Sequence, residues 1–190
     1  MRYELENERM RRQKYGYEHV THSFGPVFDE SSKILILGSM PSVKSREQQF
    51  YYGHPKNRFW KVISTVLGER EPETTEQKRE MLLRDHVALW DVIESCDIIG
   101  SSDSSIRNVK ENDMSVILER ADIRAVFANG GKAYDLFVRY CGGYCDKAGA
   151  PPLIRLPSTS PANAAWSLEK LTDVWKTEIR AYAEELSYKE

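Results

Sequence analysis

Four short apolar runs recur along this chain, each closing on small or polar residues. They occupy residues 33–39, 87–92, 123–128 and 153–156, reading KILILGS, VALWDV, IRAVFA and LIRL. A near-continuous apolar run of this length suits a strand covered on both faces. Between the runs the period becomes helical. Residues 57–67 place Phe59, Trp60, Ile63, Val66 and Leu67 at helical spacing, and Gly68 ends the pattern. Residues 73–84 predict a second helix around Met81, Leu82 and Leu83. A third runs to Glu119 from a cap at Asn112 or Asp113. Residues 132–140 give a fourth, and residues 164–186 a long one carrying Trp166, Leu171, Trp175 and Ile179. Strands alternating with helices predict an α/β fold, with a parallel sheet covered on both faces and right-handed crossovers. The Ser-Asp-rich residues 97–108 and the Gly-rich residues 141–150 read as loops. Residues 1–22 form a polar, partly helical arm without a clear apolar stripe, which leaves residues 23–190 as a single domain.

Composition narrows the class. A chain of 190 residues buries a sizeable core without disulfide or metal. An apolar fraction of 41% and a charged fraction of 29% are those of a soluble globule. No apolar run approaches the ~20 residues that span a bilayer. Residues 1–14 lack the apolar centre of a signal peptide. The expectation is a cytoplasmic protein with no membrane and no obligate protein partner. Cys96, Cys141 and Cys145 are too few for a four-thiolate cluster, and His19, His22, His54 and His86 form no helical ligand pair. Neither a metal nor a cofactor is expected.

Net charge is −2, which argues against bulk binding of a polyanion. The charge is uneven, however. Lys44, Arg46, Lys56, Arg58 and Lys61 surround the first strand end, against Glu47 alone. A local basic rim suits a partner gripped over a few phosphates.

In an open parallel sheet, ligands bind just beyond the carboxyl ends of the strands. The first run leads into Gly38-Ser39-Met40-Pro41-Ser42, whose amides can face a ligand, and then into Phe50-Tyr51-Tyr52-Gly53-His54-Pro55-Lys56-Asn57-Arg58-Phe59-Trp60. Tyr51 or Tyr52 offers a stacking face for a base, an interaction that contributes about 1–3 kcal/mol. Asn57 both donates and accepts, which suits a base edge or a water. His54 is a donor for a phosphate or a developing anion. Phe59 and Trp60, in register with Ile63, belong to the core. The last run leads into Leu156-Pro157-Ser158-Thr159-Ser160-Pro161-Ala162-Asn163, a rigid polar turn whose hydroxyls and amides can bind phosphate ahead of a helix. No Gly-x-Ser-x-Gly elbow and no Gly-x-Gly-x-x-Gly turn is present.

The ordered set of these segments, together with Ala88-Leu89-Trp90-Asp91-Val92-Ile93, residues 100–108 and Asn129-Gly130, resembles the uracil-DNA glycosylase superfamily over roughly residues 24–185. Its hypoxanthine-DNA glycosylase branch is the most similar. The resemblance implies a three-layer α/β/α sandwich around a four-stranded parallel sheet. It also implies a cofactor-free enzyme that flips a deaminated base from damaged DNA and hydrolyses its N-glycosidic bond. It assigns the catalytic amide to Asn57, in His-Pro-x-Asn, and base stacking to Tyr52. Gly38, Ser39, Met40, Asp91 and Asn129 become base-binding candidates, with Ser101 and Ser102 beside them. Ser42, His54, Lys56, Arg58, Ser158, Thr159 and Ser160 become DNA-binding candidates. Met40 stands where mismatch-specific relatives carry a water-holding Asn. Leu156 and Ser160 replace the His and Leu of the uracil-type second motif. Uracil excision is therefore expected to be poor, with hypoxanthine as substrate. The rival expectations are a uracil or mismatch glycosylase of the same fold and a non-catalytic binder of damaged DNA.

Overall fold

A computed structural model describes residues 16–144 and 146–183. Four apolar runs form a parallel sheet from β2 (Ile34–Gly38), β3 (Val87–Asp91), β6 (Ala125–Asn129) and β7 (Leu153–Leu156), in the order β3-β2-β6-β7. Every residue of β2 and β3 is buried, as strands covered on both faces require. β7 is an edge strand and keeps Arg155 exposed. The flanking helices include α2 (Phe59–Leu67), α3 (Thr75–Arg84), α5 (Gly131–Cys141) and α6 (Leu168–Ala183). α2 packs on α6, where Phe59 meets Trp175 edge-on at 5.9 Å. The capping box of Thr74 and Gln77 starts α3, and Gly68 in the left-handed region ends α2. The three-layer α/β/α architecture follows from burial on both faces of this sheet.

Three features differ from the sequence pattern. β1 (Glu18–Thr21), β4 (Ile93–Ile98) and β5 (Arg107–Glu111) form a second, antiparallel sheet in the order β1-β4-β5. The loop expected at residues 97–108 therefore shrinks, and the end of the polar arm is strand rather than helix. Polar pairing across the ladder replaces apolar periodicity there. The fully buried Asp97 accepts from Asn108 Nδ2 at 2.8 Å and pairs with His19 Nδ1 at 2.9 Å. A short helix, α1 (Val43–Gln48), is also added, capped by Ser42 Oγ, which accepts from Ser45 N at 3.2 Å. The helix expected through Glu119 is only α4 (Ser115–Leu118). The remainder of the arm, Cys145 and the end of the last helix lie outside the described residues. Cys96 and Cys141 are buried.

The connections leaving β2 and β6, which are neighbours, run to opposite sides of the sheet. This is the topological switch point, where a crevice opens beyond the strand ends. Gly38 closes β2 and Asn129 closes β6, so both sit at its mouth.

Candidate active site

A cavity of about 330 Å³ opens at that switch point. It is lined by the Gly38–Ser42 turn, Tyr52, His54, Asn57, Asp91, Asn129 and the Ser158–Ser160 turn, among others. Four of the base-site candidates, Tyr52, Asn57, Asp91 and Asn129, thus share one space.

Tyr51 and Tyr52 part company. Tyr51 is buried in the core and its hydroxyl donates to the Gly25 carbonyl at 3.0 Å. Tyr52 is half-buried, stacks on Phe59 with ring centroids 3.9 Å apart, and has φ of 52°. A left-handed backbone at an aromatic residue costs about 1–3 kcal/mol, so the surrounding turn must hold it. Gly53 N does so by donating to Ser45 Oγ at 3.0 Å. Burial, and then the negative charge of Asp91, push the Tyr52 hydroxyl well above the ordinary phenol range, so it stays neutral. Among the described residues that hydroxyl has no hydrogen bond of good geometry, although the Asn129 amide lies near enough to favour its ionised form.

A chain of side-chain hydrogen bonds joins the end of β6, the Ser158–Ser160 turn and Asn57. Thr159 N donates to Asn129 Oδ1 at 2.9 Å, and Asn129 Nδ2 donates to Thr159 Oγ1 at 2.9 Å. The Thr159 hydroxyl then donates to Asn57 Oδ1 at 3.0 Å, and Phe59 N donates to the same oxygen at 2.9 Å. Two backbone amides fix the polarity of this chain, because an amide N–H can only donate. Thr159 N requires Asn129 to present its oxygen, and Phe59 N requires the same of Asn57. Both acceptor sites of Asn57 Oδ1 are thereby filled. Its Nδ2 has no partner among the described residues, so Asn57 meets the cavity as a donor.

Thr159 is fully buried, and its amide and hydroxyl are committed to Asn129 and Asn57. Arg58 is similar. Its Nη2 donates to the carbonyls of Ser160 at 2.8 Å and Asn163 at 3.1 Å. Its Nε reaches the Thr159 carbonyl at 3.3 Å, and Nη1 reaches that of Trp166. The guanidinium is a clamp on the loop after β7, and its donors are engaged there rather than on a DNA backbone. Gly130, at φ 100°, lets this loop close on β6, since a Cβ there would lie 2.8 Å from Ser158 Cβ. Ser158 Oγ accepts from Ser160 N at 3.2 Å, and Ser160 Oγ from Ala162 N at 3.3 Å. Of the basic rim, Lys44 pairs with Glu47 at 2.7 Å and Arg46 donates to the Pro41 carbonyl at 3.0 Å. Lys56 and Lys61 are exposed. His54 Nδ1 accepts from Lys56 N at 3.1 Å.

On the other strand end, Ser39 Oγ donates to Asp103 Oδ1 at 3.0 Å. Met40 is half-buried against the core. Asp91 leans over Gly38, where a Cβ would lie 2.1 Å from Asp91 Oδ1 and so displace the carboxylate. Its Oδ2 lies 3.0 Å from His22 Nε2. Sequence reasoning left His22 in a polar arm, with no local pattern to mark it.

The sequence profile of the Uracil DNA glycosylase superfamily matches residues 26–182. A hypoxanthine DNA glycosylase of Methanosarcina acetivorans is 35% identical over 165 residues, covering 85% of this chain and 99% of its own. One from Methanosarcina barkeri is 37% identical over 123 residues, covering 63% of this chain and 78% of its own. A solution NMR structure from Methanosarcina acetivorans, provisionally assigned as a uracil DNA glycosylase, superposes with a TM-score of 0.65 at 34% identity. It covers 81% of this chain and 95% of that one. A profile match spanning most of the chain, a parallel sheet of the same fold and a cavity at its switch point agree: the chain belongs to the Uracil DNA glycosylase superfamily.

Proposed function

We propose that this protein is a monofunctional DNA glycosylase that removes hypoxanthine from deoxyinosine by base flipping and water attack. The observation that carries the reading is the fixed polarity of the Asn129–Thr159–Asn57 chain beside Tyr52, within one cavity. The names of the similar Methanosarcina proteins support the substrate.

A flipped purine enters between Tyr52 and the two turns. As the N-glycosidic bond stretches, electrons move onto the base, and its ring nitrogens and O6 become stronger acceptors. Asn57 Nδ2 donates to the base as that charge develops, an interaction stronger in the transition state than in the ground state. It does not orient the water through Oδ1, because both acceptor sites of that oxygen are filled. The sugar left behind is oxocarbenium-like and is attacked by water. The flanking phosphates add negative charge near that cation.

Alkali-treated duplexes carrying inosine, uracil or xanthine test the substrate. Inosine strands should be cut far faster than uracil strands, and equal or faster uracil cutting would assign the enzyme to uracil instead. DNA contact should rest on few phosphates, with Lys56 prominent. Lys56→Glu should reduce the slope of log affinity against log salt by roughly one. An unchanged slope moves the DNA face elsewhere. Among the described residues no helix is long and apolar enough to cross a membrane. We take the cytoplasm as the working location, with damaged DNA as the partner and no obligate protein partner.

A further inference from the structure

A residue that backs Asp91 in the cavity wall lies outside the superfamily match. His22 precedes residue 26, where that match begins. It directly follows β1, and its amide donates to the Glu94 carbonyl of β4 at 2.7 Å. The antiparallel sheet therefore delivers this side chain to the parallel one. The imidazole is held in an aromatic cage, with Phe24 edge-on at 4.5 Å and Tyr51 at 5.9 Å between centroids. Its only hydrogen bond among the described residues goes to Asp91, and the two side chains are 2% and 5% exposed.

Asp91 is asymmetric. Oδ2 is held by His22, while Oδ1 has no hydrogen bond among the described residues and lies against Gly38. The nearby Tyr52 hydroxyl is buried and unbonded too. A carboxylate this enclosed needs a donor to hold it. Without the His22 contact neither oxygen of Asp91 is committed, and the carboxyl group is free to turn. With Nε2–H of His22 on Oδ2, the group facing the cavity remains an acceptor.

That distinction is the chemistry of deamination. In adenine, N1 carries a lone pair. Deamination replaces the amino group by O6 and places a proton on N1, so the acceptor becomes an N–H donor. The change at N3 from cytosine to uracil is equivalent. The atoms of a flipped purine farthest from its sugar are N1 and the substituent on C6, and these reach deepest into a pocket.

We propose that His22 is a positioning residue that fixes Asp91 through Oδ2 and turns Oδ1 to the cavity as an acceptor, so that the pocket admits the lactam N–H of a deaminated base and rejects the lone pair of its parent. This rests on the glycosylase reading for the identity of the site. Selectivity thus includes a repulsive element, since carboxylate and lone pair oppose each other when adenine enters.

Binding to duplexes carrying 2′-fluoro-deoxyinosine or 2′-fluoro-deoxyadenosine, whose glycosidic bonds resist hydrolysis, tests this without requiring turnover. Wild type should prefer the inosine duplex. His22→Phe keeps an aromatic ring in the cage but removes the donor, and should lose roughly tenfold of that preference. His22→Gln keeps a side-chain N–H at a similar reach and should retain most of it. Asp91→Asn should abolish the preference, and adding His22→Phe to it should change nothing further. No preference in wild type, an unchanged ratio in His22→Phe, or an equal loss in the Asp91→Asn background would overturn the proposal. A wild type that prefers inosine but releases no hypoxanthine would retire the activity and leave this inference standing.

Discussion

Asn57→Ala is expected to lower single-turnover excision from an inosine duplex by about 100-fold or more, with the protein still folded and bound to DNA. The magnitude is that of losing one donor aimed at developing charge in an enclosed site. Asn57→Asp sharpens the test. Aspartate keeps an oxygen for Phe59 N and the Thr159 hydroxyl, yet places a second acceptor where Nδ2 stands. If Asn57 donates to the departing base, the aspartate variant should be at least as impaired as alanine. If it holds the water as an acceptor, aspartate should restore much of the rate. Retention of more than about a third of the wild-type rate in Asn57→Ala would remove this residue from the chemistry, since a donor of this kind is usually worth far more.

Arg58→Ala should be the most destabilising change near the site, by about 3 kcal/mol, because a charged donor is lost from several backbone carbonyls at once. Those carbonyls belong to Thr159, Ser160, Asn163 and Trp166. For a chain of this length, that loss lowers the melting temperature by roughly 6–12 °C. Excision should fall with it, since Thr159 orients Asn57 from the same loop. Arg58→Lys should recover little, because a single ammonium cannot reproduce the planar fork. The salt dependence of DNA binding should barely change in either variant. A flattened slope with an unchanged melting temperature would return Arg58 to the phosphate rim.

The parallel sheet was legible because β2, β3 and most of β6 are buried on both faces and so leave apolar runs, such as ILIL before Gly38. The antiparallel sheet was not. β5 reads Arg-Asn-Val-Lys-Glu, and only its central valine escapes full exposure. β4 hides Asp97 in the interior by bonding its carboxylate rather than by being apolar. No periodicity signals such a ladder. The site divides in the same way. Tyr52, Asn57, Asp91 and Asn129 stand at or just beyond strand ends, where a sheet topology directs attention. His22 lies 69 positions from Asp91 in sequence, and nothing local ties the two. Arg58 sits in a basic run that reads as a phosphate rim. Its carbonyl partners, more than 100 positions away, exist only once the loop has folded over it. Tyr51 and Tyr52 are adjacent and alike in sequence. The left-handed turn at Tyr52 separates them, leaving Tyr51 buried with its hydroxyl on the Gly25 carbonyl and Tyr52 half-buried at the cavity.

The most direct test of the central claim is chromatographic detection of the free base. An inosine duplex in excess enzyme should release hypoxanthine in step with abasic sites, the strand staying intact until alkali is added, and Asn57→Ala should abolish both products together. Binding of the duplex without any released base, or strand scission with inosine still attached, would contradict a hydrolytic glycosylase.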